Sequence, residues 1–163
     1  MTDSGVNYAP FVEQELKSER ERRSALDTRG QTVVTTSGVL ITILSAVTAV
    51  AINRKILVVP GAVRYSILSA LACFILAVFF GILATINFKY YVASKSTLLQ
   101  LSREHSADSR EVAERNIVAT NVTTILTLRK GNDIKVVLLL VALFAQLAAL
   151  LSLGAAVLLA VIA

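Results

Sequence analysis

Residues 136–163, VVLLLVALFAQLAALLSLGAAVLLAVIA, run for 28 positions without a charge, and this stretch decides the fold. About 20 apolar residues suffice to cross a hydrocarbon core. At about 1.5 Å per residue the segment is roughly 42 Å long as a helix, so it must tilt, reach past the lipid or join a thicker protein layer. Two more uncharged runs lie upstream, 20 residues at 33–52 and 24 at 65–88. Composition agrees: 55% of residues are hydrophobic and 17% charged, against about 25% charged in soluble domains, and the mean hydropathy is +0.70. With 163 residues there is room for one domain. The reading predicts an all-α integral membrane protein, a single membrane domain over 1–163 with three transmembrane helices and helical extensions.

The polar parts set the orientation. Three spans place 1–32 and 89–135 on one side, and 53–64 with the C-terminus on the other. The first side carries 13 Lys and Arg, from Lys17 to Lys135, and the second only Arg54, Lys55 and Arg64. The positive-inside rule then predicts an N-terminal helix (1–32) and a helical segment (89–135) in the cytoplasm, an external loop at 53–64 and an external C-terminus. For a bacterial chain this is the inner membrane. A cleaved signal peptide ending near Ala49-Val50-Ala51 is disfavoured, because six acids and five bases precede the apolar run and the run is too long. The formal net charge of +5 lies almost wholly outside the spans, so it organises topology rather than binding nucleic acid.

Pro10 suits the start of a helix, and Glu13 with Lys17 and Glu19 with Arg23 are favourable i,i+4 pairs. No breaker follows until Gly30, so this segment reads as a solvated charged helix that anchors and orients the first span. Asp108 and Glu111 have the form of a capping box that starts a helix at Ser109. Val118, Val122, Ile125 and Leu128 continue at helical spacing. Thr120, Thr123, Thr124 and Thr127 lean toward strand, but no partner strand exists in the sequence. Gly131 and Asn132 allow a bend before Lys135 marks the membrane boundary, and Tyr90 and Tyr91 beside Lys89 read as an interfacial anchor.

Apolar side chains do not prefer one another over lipid, so small and hydroxyl residues mark where membrane helices approach. Thr35, Gly38, Thr42, Ser45 and Ala49 form one stripe on the first span. Ala142, Ala145, Ala149, Ser152 and Ala156 repeat its spacing on the third, with Gln146 at the flank. The second carries Ser66, Ala70, Cys73, Ala77, Gly81 and Ala84, with Ala77 and Gly81 as a small-xxx-small pair. A period near 3.5 implies left-handed packing at shallow angles. Either the stripes close a three-helix bundle, or at least one faces a second copy of the chain. Any pore would need several subunits.

Enzyme chemistry is excluded on inventory. The only histidine, His105, lies in a polar segment, and the spans hold no Asp, Glu, Lys, Arg or His, which also speaks against an ion-coupled transporter. Thr35-Thr36-Ser37-Gly38 lacks the glycine two before the serine that intramembrane proteases carry. One Cys and one His leave no metal site, and no cofactor is expected. Gln146 reads as a residue that hydrogen-bonds between helices.

Leu26-Asp27-Thr28-Arg29-Gly30 followed by Val34-Thr35-Thr36-Ser37-Gly38-Val39-Leu40 resembles the opening of small uncharacterised integral membrane proteins of actinobacteria, with an Arg-Gly-x(4)-Thr-Thr-Ser-Gly motif at the first span. Leu128-Arg129-Lys130 with Asn132 and Lys135 is similar to the same family, which implies no assigned activity. In layout the chain resembles small transmembrane effectors of bacterial anti-phage systems, although it has no nucleotide-sensing domain. The function expected is a self-associating inner-membrane effector or pore-type protein in phage defence. The alternative is a non-catalytic structural or accessory subunit of a larger membrane complex. The expected partners are the lipid bilayer, further copies of the chain and a protein docking on the helices at 10–29 and 109–130.

Overall fold

The computed structural model describes residues 8–53, 61–86 and 109–162. They form three helices, α1 (Ala9–Asn53), α2 (Gly61–Thr85) and α3 (Arg110–Ile162), with no strand among the described residues. The chain is all-α, and each helix is long and apolar enough to cross a membrane.

Helix bounds follow local chemistry. The Tyr8 carbonyl accepts the Val12 N–H at 3.0 Å, which places Pro10 in the first turn, where its missing N–H costs nothing. Ser109 holds the corresponding position on α3, accepting the Ala113 N–H at 3.1 Å. The proposed cap at Asp108 and the tyrosine anchor lie outside the described residues. Gly30 does not end α1, and no break occurs at Gly131 and Asn132, which lie within α3. The second helix begins at Gly61, four residues before the uncharged run, and ends at Thr85.

The threonines that leaned toward strand are helical for a visible reason. Thr120, Thr123 and Thr124 donate to the carbonyls of Asn116, Ala119 and Thr120 at 2.9, 3.1 and 3.0 Å. Each hydroxyl is satisfied on its own helix, so the β-branch costs only side-chain entropy.

Contacts group the chain into two compact units. One comprises Met1–Ala25 and Asn87–Asp133, and the other Leu26–Ile86 and Ile134–Ala163. In the first, Val12 and Leu16 of α1 pack on Ile125 and Leu128 of α3, with Val118 against them. The segment read as a solvated helix therefore has one buried face. Its buried positions Val12, Leu16 and Glu19 step by four and three, as do Ile125, Leu128 and Asn132 by three and four. This is the spacing of knobs-into-holes packing.

In the second unit, Leu26, Ala84 and Leu139 form one cluster and Val33, Ala77 and Ala142 another. Residue numbers rise together on α1 and α3 and fall on α2, so α1 and α3 run parallel and α2 antiparallel to both. The buried positions again keep a seven-residue period: Leu26, Gly30, Val33 and Ser37 on α1, Ala70, Phe74, Ala77, Gly81 and Ala84 on α2, and Lys135, Leu139, Ala142, Ala149 and Ala156 on α3.

Candidate helix-packing and association sites

Polar side chains occupy core positions in the first unit. Glu19 is 7% exposed and Asn132 1%. The Asn132 Nδ2 donates to the Glu19 carboxylate at 3.0 Å and to the Glu19 carbonyl at 3.1 Å. Arg129 donates from Nε to Glu19 at 2.8 Å and from its terminal nitrogen to Glu15 at 2.6 Å. Arg22 lies 3.7 Å from Glu19 and donates to Asp133 at 3.1 Å. Satisfying both the carbonyl and the carboxylate of one residue allows a single register of α1 against α3, the known use of a buried asparagine in paired helices.

The hydrogen bond to Glu19 holds the Arg129 guanidinium above its ordinary value. Desolvation opposes this, and the charges of Glu19 and Glu15 with the Glu15 hydrogen bond add to it. A raised base stabilises the fold at every pH below its unfolded value and loses that contribution only as pH climbs through the folded one. Arg129 therefore adds no pH dependence near neutrality.

In the second unit the three small-residue stripes part company. Ala77, Gly81, Ala142, Ala149 and Ala156 are buried within the unit, and Ala145, Gln146 and Ser152 are half-buried. Gln146 donates from Nε2 to Thr36 Oγ1 at 3.1 Å, and the Ser69 and Ser152 hydroxyls lie 3.4 Å apart. On α1, by contrast, Thr35, Thr42, Ser45 and Ala49 are exposed and Gly38 half-buried. A Cβ added at Gly38 would meet nothing within 4 Å. Thr35 and Thr42 donate to the carbonyls of Gln31 and Gly38, each at 2.9 Å, so these two hydroxyl protons are already used.

The face that α1 turns inward is a different one, Leu26, Gly30, Val33 and Ser37. A Cβ on Gly30 would stand 3.0 Å from Thr85 Cγ2 and 3.2 Å from the Gly81 carbonyl oxygen, and one on Gly81 2.9 Å from Val34 Cγ2. The closest approach of backbones is thus at Gly30 and Gly81. In the sequence Gly30 reads as a breaker, although it stands at four-and-three spacing with Leu26, Val33 and Ser37. Ser37 is fully buried, and its hydroxyl has no hydrogen-bond partner.

Among the described residues, no group of three or more His, Cys, Asp or Glu is placed to hold a metal ion. Cys73 is a free thiol, half-buried on α2. In comparison with known proteins, the chain matches no family model, no curated protein and no solved structure.

Proposed function

We propose that the chain is a self-associating multi-pass protein of the bacterial inner membrane, an effector or pore-type protein acting in phage defence, with copies meeting along the outer stripe of α1. The observation that carries this reading is the unequal fate of the three stripes. Those of α2 and α3 are consumed inside the chain, while that of α1 is left uncovered. In lipid a row of small residues gains little from acyl chains and much from a second helix that can come close. The exposed faces of α2 and α3 present Ile75, Leu76, Phe79, Phe144, Leu147 and Leu151, bulky groups suited to lipid, as Val39, Ile43 and Val47 are beside the stripe of α1.

The test is particle mass in nanodiscs. The native chain is expected as an oligomer, Gly38→Leu as a smaller particle, and Ile43→Leu, which keeps the volume of an exposed side chain, as unchanged. Induced expression of the native chain, and not of Gly38→Leu, is expected to depolarise cells. A native monomer would remove the basis of the proposal.

A second reading, an accessory subunit of a larger membrane complex, is favoured by the first unit. There Val112, Val122 and Leu126 of α3 are exposed although they lie outside the uncharged runs. An innocuous chain that co-purifies with one membrane protein at fixed stoichiometry would support it.

A further inference from the structure

A lysine at the start of a membrane span ordinarily carries its ammonium out to the water boundary along its flexible stem. Lys135 does the opposite. It is 1% exposed and ion-paired with Asp27 of α1. Its chain neighbour Val136 and, one turn on, Leu139 belong to the cluster that holds Leu26 and Ala84. The pair is lopsided, because the Asp27 side chain keeps 34% of its surface exposed. The acid is open on one side while the base is enclosed.

Packing alone does not call for such a pair. Taking an ammonium out of water carries a heavy cost that one carboxylate hardly repays, and two apolar side chains of similar volume would pack as well or better. The attachment of α1 within this unit is tightest near Asp27: Leu26, Gly30, Val33 and Ser37 are buried, whereas farther on the same face, at Leu40, Ile41, Leu44 and Thr48, is only half-buried. α2 and α3 stay packed much farther, through Ala70 and Phe74, through Ala149 and Ala156, and through the hydroxyls of Ser69 and Ser152. The Asp27–Lys135 pair therefore sits at the end of this unit where α1 is packed most tightly.

We infer that Asp27 and Lys135 form a latch that opens and closes in the native protein. With the carboxylate in place, the lysine is neutralised and α1 lies against α3. When the carboxylate draws away through its open side, the ammonium is left enclosed without its counter-charge. It swings out, and the contact between Leu26 and Leu139 parts with it. The inference stands apart from self-association, since both residues belong to one chain.

Cysteine accessibility tests it. In the full-length chain with Cys73→Ala, a single Leu139→Cys is labelled by a water-soluble maleimide in membrane sheets open on both sides. Asp27→Asn is expected to label about tenfold faster than the native pair or more, since it leaves a buried charge alone. Lys135→Met, which has no charge to expel, is expected to label severalfold slower than the native pair, because it removes the opening itself. The double variant should behave as Lys135→Met does. Equal rates for the native pair and Lys135→Met would overturn the latch, leaving a static tie, and so would a double variant as fast as Asp27→Asn. Should Asp27→Asn fail to accumulate in membranes, recovery in the double variant counts for the latch and continued loss counts against it.

Discussion

Two glycines of α1 do opposite things, and their surroundings say which. At Gly30 an added methyl group would press on the Gly81 carbonyl oxygen at 3.2 Å and on Thr85 Cγ2 at 3.0 Å. The backbone oxygen cannot turn aside as a side chain can. Overpacking of this kind costs about 1–3 kcal/mol, more than the roughly 1 kcal/mol by which alanine outdoes glycine in a helix. Gly30→Ala is therefore expected to lower the unfolding temperature of the solubilised chain in a circular dichroism melt. Gly38→Ala, which meets nothing within 4 Å, is expected to leave it unchanged or raise it in the monomer. Gly81→Ala is expected to lower it as well, since the added Cβ would stand 2.9 Å from Cγ2 of Val34, a β-branched side chain with little freedom to turn aside. Ser37 shows that burial at this scale is not always satisfied. Its unpaired hydroxyl sits where an alanine would fit, within the Thr35-Thr36-Ser37-Gly38 stretch of the first span.

At the scale of elements, the pairing of α1 with α3 in the first unit depends on polar groups at core positions. Val12, Leu16, Ile125 and Leu128 supply burial, but apolar contacts tolerate sliding, whereas the two hydrogen bonds of Asn132 to Glu19 do not. Asn132→Ala leaves a buried carbonyl without this donor and weakens the hold on the carboxylate, at a cost of about 1–3 kcal/mol. The expected readout is faster amide exchange in both Val12–Glu19 and Val118–Leu128, which no change confined to α3 would produce. Unchanged exchange on α1 would mean that Asn132 does not set the pairing. The hydroxyl back-bonds of Thr120, Thr123 and Thr124 belong to this scale too. They satisfy the hydroxyls within the helix, while the packing of Ile125 and Leu128 on Val12 and Leu16 holds the segment in place.

For the whole molecule, the decisive property is which side of the membrane each end occupies. In the second unit Leu26 of α1 and Leu139 of α3 meet Ala84, near the end of α2, as three consecutive crossings require. In the sequence the excess of Lys and Arg precedes the first and third uncharged runs and follows the second. A cysteine replacing Ser4 is therefore expected to resist a membrane-impermeant thiol reagent in intact cells, and one replacing Ala62, at the opposite end, to react, with Cys73 changed to Ala beforehand. The reverse pattern would invert every assignment of side.

By itself the sequence determined the class, the three membrane helices and the approximate bounds of the spans. Charge-free length and small-residue spacing are local properties, and the lipid reads them one segment at a time. Small residues at heptad-like spacing include Ala77, Gly81, Ala142, Ala149 and Ala156, which are buried, whereas Ala72, Ala148, Gly154 and Ala155, equally small, are exposed. The tertiary structure decided what depends on partners distant in the chain. The Arg129–Glu19 contact spans 110 residues and the Lys135–Asp27 contact 108, so no i,i+4 rule could find either. Glu19 reads in sequence as half of a surface pair with Arg23, and only the approach of Asn132 and Arg129 makes it a core residue. The same holds for the stripe on α1. Its spacing matches that of α3, but which face of a helix turns inward is fixed by the shapes it meets, and Gly81 with Thr85 accept the Gly30 face instead.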